Sequence, residues 1–196
     1  MDAVNTLELL DWRRHVAAMY AAVRGAANPT PAWERWRRER GELFAGHPQS
    51  PRRGAQPEYF PYDAAGRCGA TVEPATEERF ELPTSGDESM TFTRFATAHF
   101  ELNETPLQLD LYWLEGYGGG LFLPFRDATS GEETYGAGRY LLDTVKGADL
   151  GVENGRLVLD FNFAYNPSCA YDPKWLCPLA PPKNRLEVPV RFGEKA

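Results

Sequence analysis

The pattern of apolar positions changes character once along the chain. Leu9, Trp12, Val16, Met19, Tyr20 and Val23 recur at three- and four-residue steps between charged positions, which predicts an amphipathic helix ended by Gly25 and the Asn28-Pro29 pair. A second helix is predicted with Thr30 as N-cap, Pro31 at its first position, and Trp33, Trp36, Leu43 and Phe44 on its buried side. It stops near Gly46-His47-Pro48. Prolines, a glycine and arginines then break any period, so residues 48–58 read as an extended connector over the surface.

Past the connector the period falls to two. Apolar runs near 67–73, 78–82, 90–102, 107–115, 120–126, 139–145, 156–165 and 186–191 are separated by Gly, Pro, Asn and Asp, as in antiparallel sheets. In the clearest run Leu157, Leu159, Phe161 and Phe163 share one face, while Val158, Asp160, Asn162 and Ala164 share the other. Glu153-Asn154-Gly155 is a hairpin signal, and it predicts that 139–145 and 156–165 are neighbours. The expected fold is mainly β with an α+β arrangement: an antiparallel β-sandwich or barrel-like sheet carrying two N-terminal helices. A single domain, 1–196, is expected, with helices in 1–47, the connector in 48–58 and a β-rich body in 59–196.

Composition supports a packed domain. With 196 residues, 42% hydrophobic and 25% charged, the chain can bury a core without disulfide or metal staples. Net charge is −7, and residues 1–60 carry 9 basic against 7 acidic side chains, so the β-rich body holds the acidic excess. An acidic body repels phosphate backbones, which argues against nucleic acid as a partner unless Arg35, Arg37, Arg38, Arg40, Arg52 and Arg53 converge. Those arginines read more simply as a solvated helix face and its loop. No window approaches the ~18 apolar residues of a membrane span. Asp11, Arg13, Arg14 and His15 interrupt the first helix, so no signal peptide is predicted and the expected location is cytoplasmic. Cys68, Cys169 and Cys177 are expected to be reduced there, and their odd number argues against a disulfide framework.

Candidate chemistry concentrates between Pro124 and Tyr171. Phe125-Arg126-Asp127-Ala128-Thr129 is followed by Gly131-Glu132-Glu133-Thr134-Tyr135-Gly136-Ala137-Gly138-Arg139-Tyr140. Asn162-Phe163-Ala164-Tyr165-Asn166-Pro167-Ser168-Cys169-Ala170-Tyr171 and Cys177-Pro178-Leu179-Ala180-Pro181-Pro182-Lys183-Asn184 come next, and Gly193-Glu194 lies near the end. With Trp36, Arg40, Phe44, Pro48, Ser50 and Pro51 further upstream, these segments resemble the domain-of-unknown-function 1684 family of uncharacterised bacterial proteins. The resemblance spans nearly the whole chain and implies no established activity. Some members of that family carry a secretion or lipid-attachment leader, which is not expected in this sequence.

The residues themselves admit two readings. Arg126, Asp127, Glu133, Tyr135, Arg139, Tyr140, Asp160, Asn162, Tyr165, Asn166, Cys169 and Tyr171 would together line a pocket for a small polar or aromatic ligand. Alternatively, the charged members form a buried salt-bridge network that fixes how loops cross the sheet, in a non-catalytic structural or protein-interaction domain. Acid-base chemistry by Asp127, Glu133 or Asp160 is a third possibility, although no reacting group can be named. A Cys-His nucleophile has weak support, since His15, His47 and His99 are all remote in sequence from the cysteines. No zinc-ligand spacing is present. The Gly116-Tyr117-Gly118-Gly119-Gly120 run has no lysine or following helix, so it reads as a hairpin loop rather than a phosphate cradle. No cofactor is identified.

Overall fold

The structure is a computed structural model that describes residues 2–52, 54, 56–85, 87 and 89–196. Helix α1 spans Ala3–Arg24 and α2 spans Pro29–Gly46. The second helix starts a little earlier than Thr30: the Asn28 side chain accepts from the Thr30 amide at 3.1 Å, with Pro29 just inside. Asparagine is the stronger cap because its oxygen reaches the second orphan amide, and proline has no N–H to leave unpaired. Met19 and Tyr20 of α1 and Trp33, Trp36 and Phe44 of α2 are buried. Leu9 is exposed with Val4, Leu7 and Leu10, so the stripe of α1 packs only in its C-terminal half. Of the six arginines in and after α2, Arg40 is turned inward, and Arg53 lies outside the described residues.

Seven strands form one open antiparallel sheet, in the order β5-β4-β3-β2-β1-β7-β6. They are β1 (Arg67–Pro83), β2 (Ser89–Leu102), β3 (Thr105–Leu114), β4 (Gly120–Phe125), β5 (Arg139–Asp143), β6 (Val152–Glu153) and β7 (Arg156–Asp160). The protein is thus mainly β with two N-terminal helices. The expected runs 67–73 and 78–82 are one strand, whose register against β2 shifts between Pro74 and Glu78. Asn103 and Glu104, both at positive φ, make the tight turn between β2 and β3. The Gly116–Gly120 run joins β3 to β4, and Trp113 occupies the place a side chain at Gly119 would take, 2.4 Å from the ideal Cβ.

Two strand expectations need correction. The Glu153-Asn154-Gly155 turn is real, but it joins β6 to β7, and β5 lies at the opposite edge. β1 begins ahead of its pairing with β2, and its Arg67–Ala70 stretch takes the ladder groups of Leu157–Asp160. β5 instead meets the chain beyond β7 at one bridge, where Tyr140 and Tyr165 exchange backbone hydrogen bonds at 2.9 and 3.0 Å. Residues 186–191 show the alternating burial of a strand, with Leu186 and Val190 buried, but no ladder. Pro189 cannot donate there, and the Val190 amide is taken by the Asp127 carboxylate at 3.2 Å.

The run 156–165 also stops early. At Asp160 the carboxylate accepts from the Asn162 amide and the chain tightens into a 3-10 turn over Phe161–Phe163. Phe161 and Phe163 still reach the core, with Phe161 against Phe100 and Phe125 and Phe163 against Trp36 and Tyr20. This turn delivers Tyr165 and Asn166 beneath the two helices.

Candidate functional site

The polar residues between 124 and 171 divide among separate environments. In the first, Arg139 and Asp127 are buried and paired at 2.9 Å. Nη2 also donates to the Val190 carbonyl, and Nη1 donates to those of Phe192 and Glu194. The other Asp127 oxygen accepts from the amide and hydroxyl of Thr129 as well as from Val190. Burial lowers the Arg139 pKa, and Asp127 opposes that effect. Gly138 permits the approach: at φ +98° a Cβ there would meet the Phe125 carbonyl at 2.5 Å. The cluster holds the C-terminal segment against the sheet.

A second junction forms around Asp160 and Asn162, both fully buried. Asn162 donates to Asp160 Oδ1 at 2.8 Å and to the Asp63 carbonyl at 2.7 Å, and it accepts from the Asp63 amide. The Asn162 carbonyl receives the Trp33 indole N–H, which ties α2 to the sheet. Burial raises the Asp160 pKa despite the bonds from Asn162 and the Arg67 guanidinium 3.9 Å away. Glu133 pairs with Arg191 at the surface, and Arg126 donates to the Gly136 carbonyl. Tyr171 packs its ring against Phe44 at 5.0 Å.

The third environment is a cleft between α1, α2 and the Tyr140–Tyr165 bridge. Its space is about 50 Å³, and Trp12, Tyr20, Trp36, Tyr140, Tyr165 and Asn166 are among its walls. At ~10–15 Å³ each, on the order of three to five waters would fill it. Arg40 also faces it, with its guanidinium over the Phe44 and Tyr165 rings at 4.6 and 5.0 Å. That guanidinium donates to Tyr59 Oη and to the buried Glu194 carboxylate, both at 3.0 Å. Glu194 also accepts from the Asn166 amide, and Asn166 Nδ2 donates to the Lys195 carbonyl at 2.6 Å. Burial pushes the Glu194 pKa up against the pull of Arg40. Tyr20 Oη, Asn166 Oδ1 and Glu194 Oε1 are buried without a hydrogen-bond partner among the described residues.

A sequence model of the family described as "Protein of unknown function (DUF1684)" matches residues 55–195. The chain belongs to this family. A solved structure is similar to this DUF1684 chain: the solution NMR structure of an uncharacterized protein of Haloarcula marismortui, 34% identical over 85% of this chain and 96% of that one, with a TM-score of 0.60. No curated protein matches. The family match begins at residue 55, so the α1 and α2 walls of the cleft lie outside it, while Tyr140, Tyr165, Asn166 and Glu194 lie within.

Of the twelve candidate residues in this DUF1684 chain, Tyr140, Tyr165 and Asn166 share the cleft, and Tyr135 meets Cys169 beside Cys177. Arg139 and Asp127 form the C-terminal clamp, Asp160 and Asn162 the junction with α2, and Arg126, Glu133 and Tyr171 stand apart. Sequence reasoning missed Tyr20, Arg40, Lys146 and Glu194 as neighbours of the cleft. Trp36, Arg40 and Phe44 stand at four-residue steps, which places them on one face of α2, and that spacing was the available signal. Nothing local points to Glu194, whose role depends on where the last residues return.

Proposed function

We propose that this chain is a small-molecule-binding domain whose ligand enters the cleft between α1, α2 and the Tyr140–Tyr165 bridge. The observation that supports this is the pair of unpartnered buried atoms lining one space, Tyr20 Oη and Asn166 Oδ1. A buried polar group left unpaired costs about 1–3 kcal/mol, which a ligand group placed between the two would recover. Asn166 Oδ1 accepts only, and a tyrosine hydroxyl donates or accepts, so the ligand presents a hydroxyl, amide or amine donor. Its body is apolar or aromatic, to suit the surrounding rings. The cations are already matched, Arg40 by Glu194 and Lys146 by Asp143, so a neutral polar molecule fits better than a strongly charged one. Asp127, Glu133 and Asp160 do not line this cleft, and the Arg139–Asp127 cluster favours a structural role for that half of the polar residues.

The test is an NMR-detected screen of small phenols, anilides and primary amides against the isotope-labelled full chain. Amide shifts confined to Tyr20, Ala148, Asn166 and Ser168, and abolished in a folded Asn166→Ala variant, are expected. Shifts centred elsewhere, or none at millimolar fragment, would reject the reading.

A further inference from the structure

Two thiols used by neither the clamp nor the cleft lie side by side behind the cleft wall. Cys169 sits in the 3-10 turn Ser168–Ala170, and Cys177 stands where the chain returns past the end of β1. The Cys169 amide donates to Cys177 Sγ at 3.4 Å, and Tyr135 Oη lies 3.8 Å from Cys169 Sγ. The Ser85 side chain braces the segment that leads into Cys177, donating to the Trp175 carbonyl at 2.7 Å and accepting from the Cys177 amide at 3.2 Å. A recess of about 120 Å³, with Trp12, Lys146, Ser168, Trp175, Leu176 and Cys177 among its walls, opens on Cys177 and on the Ser168 that precedes Cys169.

We propose that Cys169 and Cys177 form a reversible oxidation site for hydroperoxides, with Cys169 as the attacking sulfur and Cys177 as the resolving one. In the first step a Cys169 thiolate lone pair forms a bond to the terminal peroxide oxygen and the O–O bond breaks. The departing alkoxide or hydroxide takes a proton, leaving an alcohol or water and a sulfenic acid on Cys169. In the second, Cys177 sulfur attacks the Cys169 sulfur, the S–OH bond breaks and water leaves with the Cys177 proton. The sum converts two thiols and one hydroperoxide into a disulfide, an alcohol and a water. A dithiol reductant reverses it by exchange.

The division of roles follows from the hydrogen bonds. A thiolate is the nucleophile, and the Tyr135 hydroxyl lies within hydrogen-bond reach of Cys169 Sγ. The bond from Cys177 is the largest cause holding the Cys169 thiol down at about 6, against the opposing effect of burial, with Ser85 and Tyr135 adding to it. Cys177, which supplies that bond, is pushed up and stays protonated. Burial pushes Cys68 up to about 12, and it has no thiol partner among the described residues, so it is an internal control. Ser168 is a wall of both the recess and the cleft, so linking Cys169 to Cys177 ties the oxidation state to the cleft wall.

The experiment treats the reduced full chain with stoichiometric hydrogen peroxide and maps thiols by peptide mass spectrometry. The expected product has lost two hydrogens in mass, contains a peptide linked through Cys169 and Cys177, retains Cys68 as thiol, and reverts with dithiothreitol. Its rate of formation should rise as pH passes about 6 and then level off. In Cys177→Ser, a cyclic dione should trap a sulfenic acid at Cys169. First oxidation at Cys68 or Cys177, or a rate that rises only in the ordinary thiol range near ~8.5, would overturn the proposal. If Cys177→Ser fails to fold, the wild-type map and its pH profile decide alone.

Discussion

The Arg139 clamp and the Arg40 cleft are built from the same parts and differ in completeness. Each turns an arginine inward over at least one aromatic ring and against a carboxylate, beside the C-terminal segment of the chain. Around Arg139, every atom of the guanidinium except Nε has a partner, and the Asp127 carboxylate is saturated. Around Arg40, the neighbouring tyrosine, asparagine and glutamate each leave one buried atom unpaired. A polar cluster with its bonds made holds a fold together, and one with bonds left over and space beside them is ready to accept something else.

The largest effect is expected in the clamp. Arg139→Ala strands the Asp127 carboxylate and frees three backbone carbonyls, which should cost on the order of 3–5 kcal/mol in denaturant unfolding. Unchanged stability would contradict the burial of the pair. In the cleft, Asn166→Ala removes the bond to the Lys195 carbonyl, so a loss of about 1 kcal/mol is expected in the same measurement, together with loss of fragment binding. A loss as large as that of Arg139→Ala would erase the distinction between the regions.

Glu133→Gln tests the surface. Its pair with Arg191 is exposed to solvent, so the change in stability should be small, and smaller still at high salt. Tyr20→Phe sharpens the comparison most, with the smallest effect: the hydroxyl has no partner to lose among the described residues, so thermal stability should be unchanged or slightly raised. Fragment affinity should fall in that variant. A destabilised Tyr20→Phe would mean that the hydroxyl is bonded in solution, through water, and that the cleft is closed.

The chain alone determined whatever depends on local period and local chemistry. Both helices are legible because Met19, Tyr20, Trp33, Trp36 and Phe44 fall on apolar faces, and β2 because its apolar positions alternate on a half-buried sheet. The segment 156–165 was readable as far as Asp160, where a side-chain cap turned the backbone. Tertiary structure decided the order of strands, since the free edge of β7 is filled by Arg67–Ala70 of β1, a pairing with no local signature. It also decided which polar residues meet. Arg139 finds its carbonyls at 190, 192 and 194, and Arg40 finds Glu194 only where the end of the chain returns. Hydrophobic period records which face of an element is buried, whereas a polar pair between distant segments records only where the folded backbone brings them, and that information resides in the whole chain's packing.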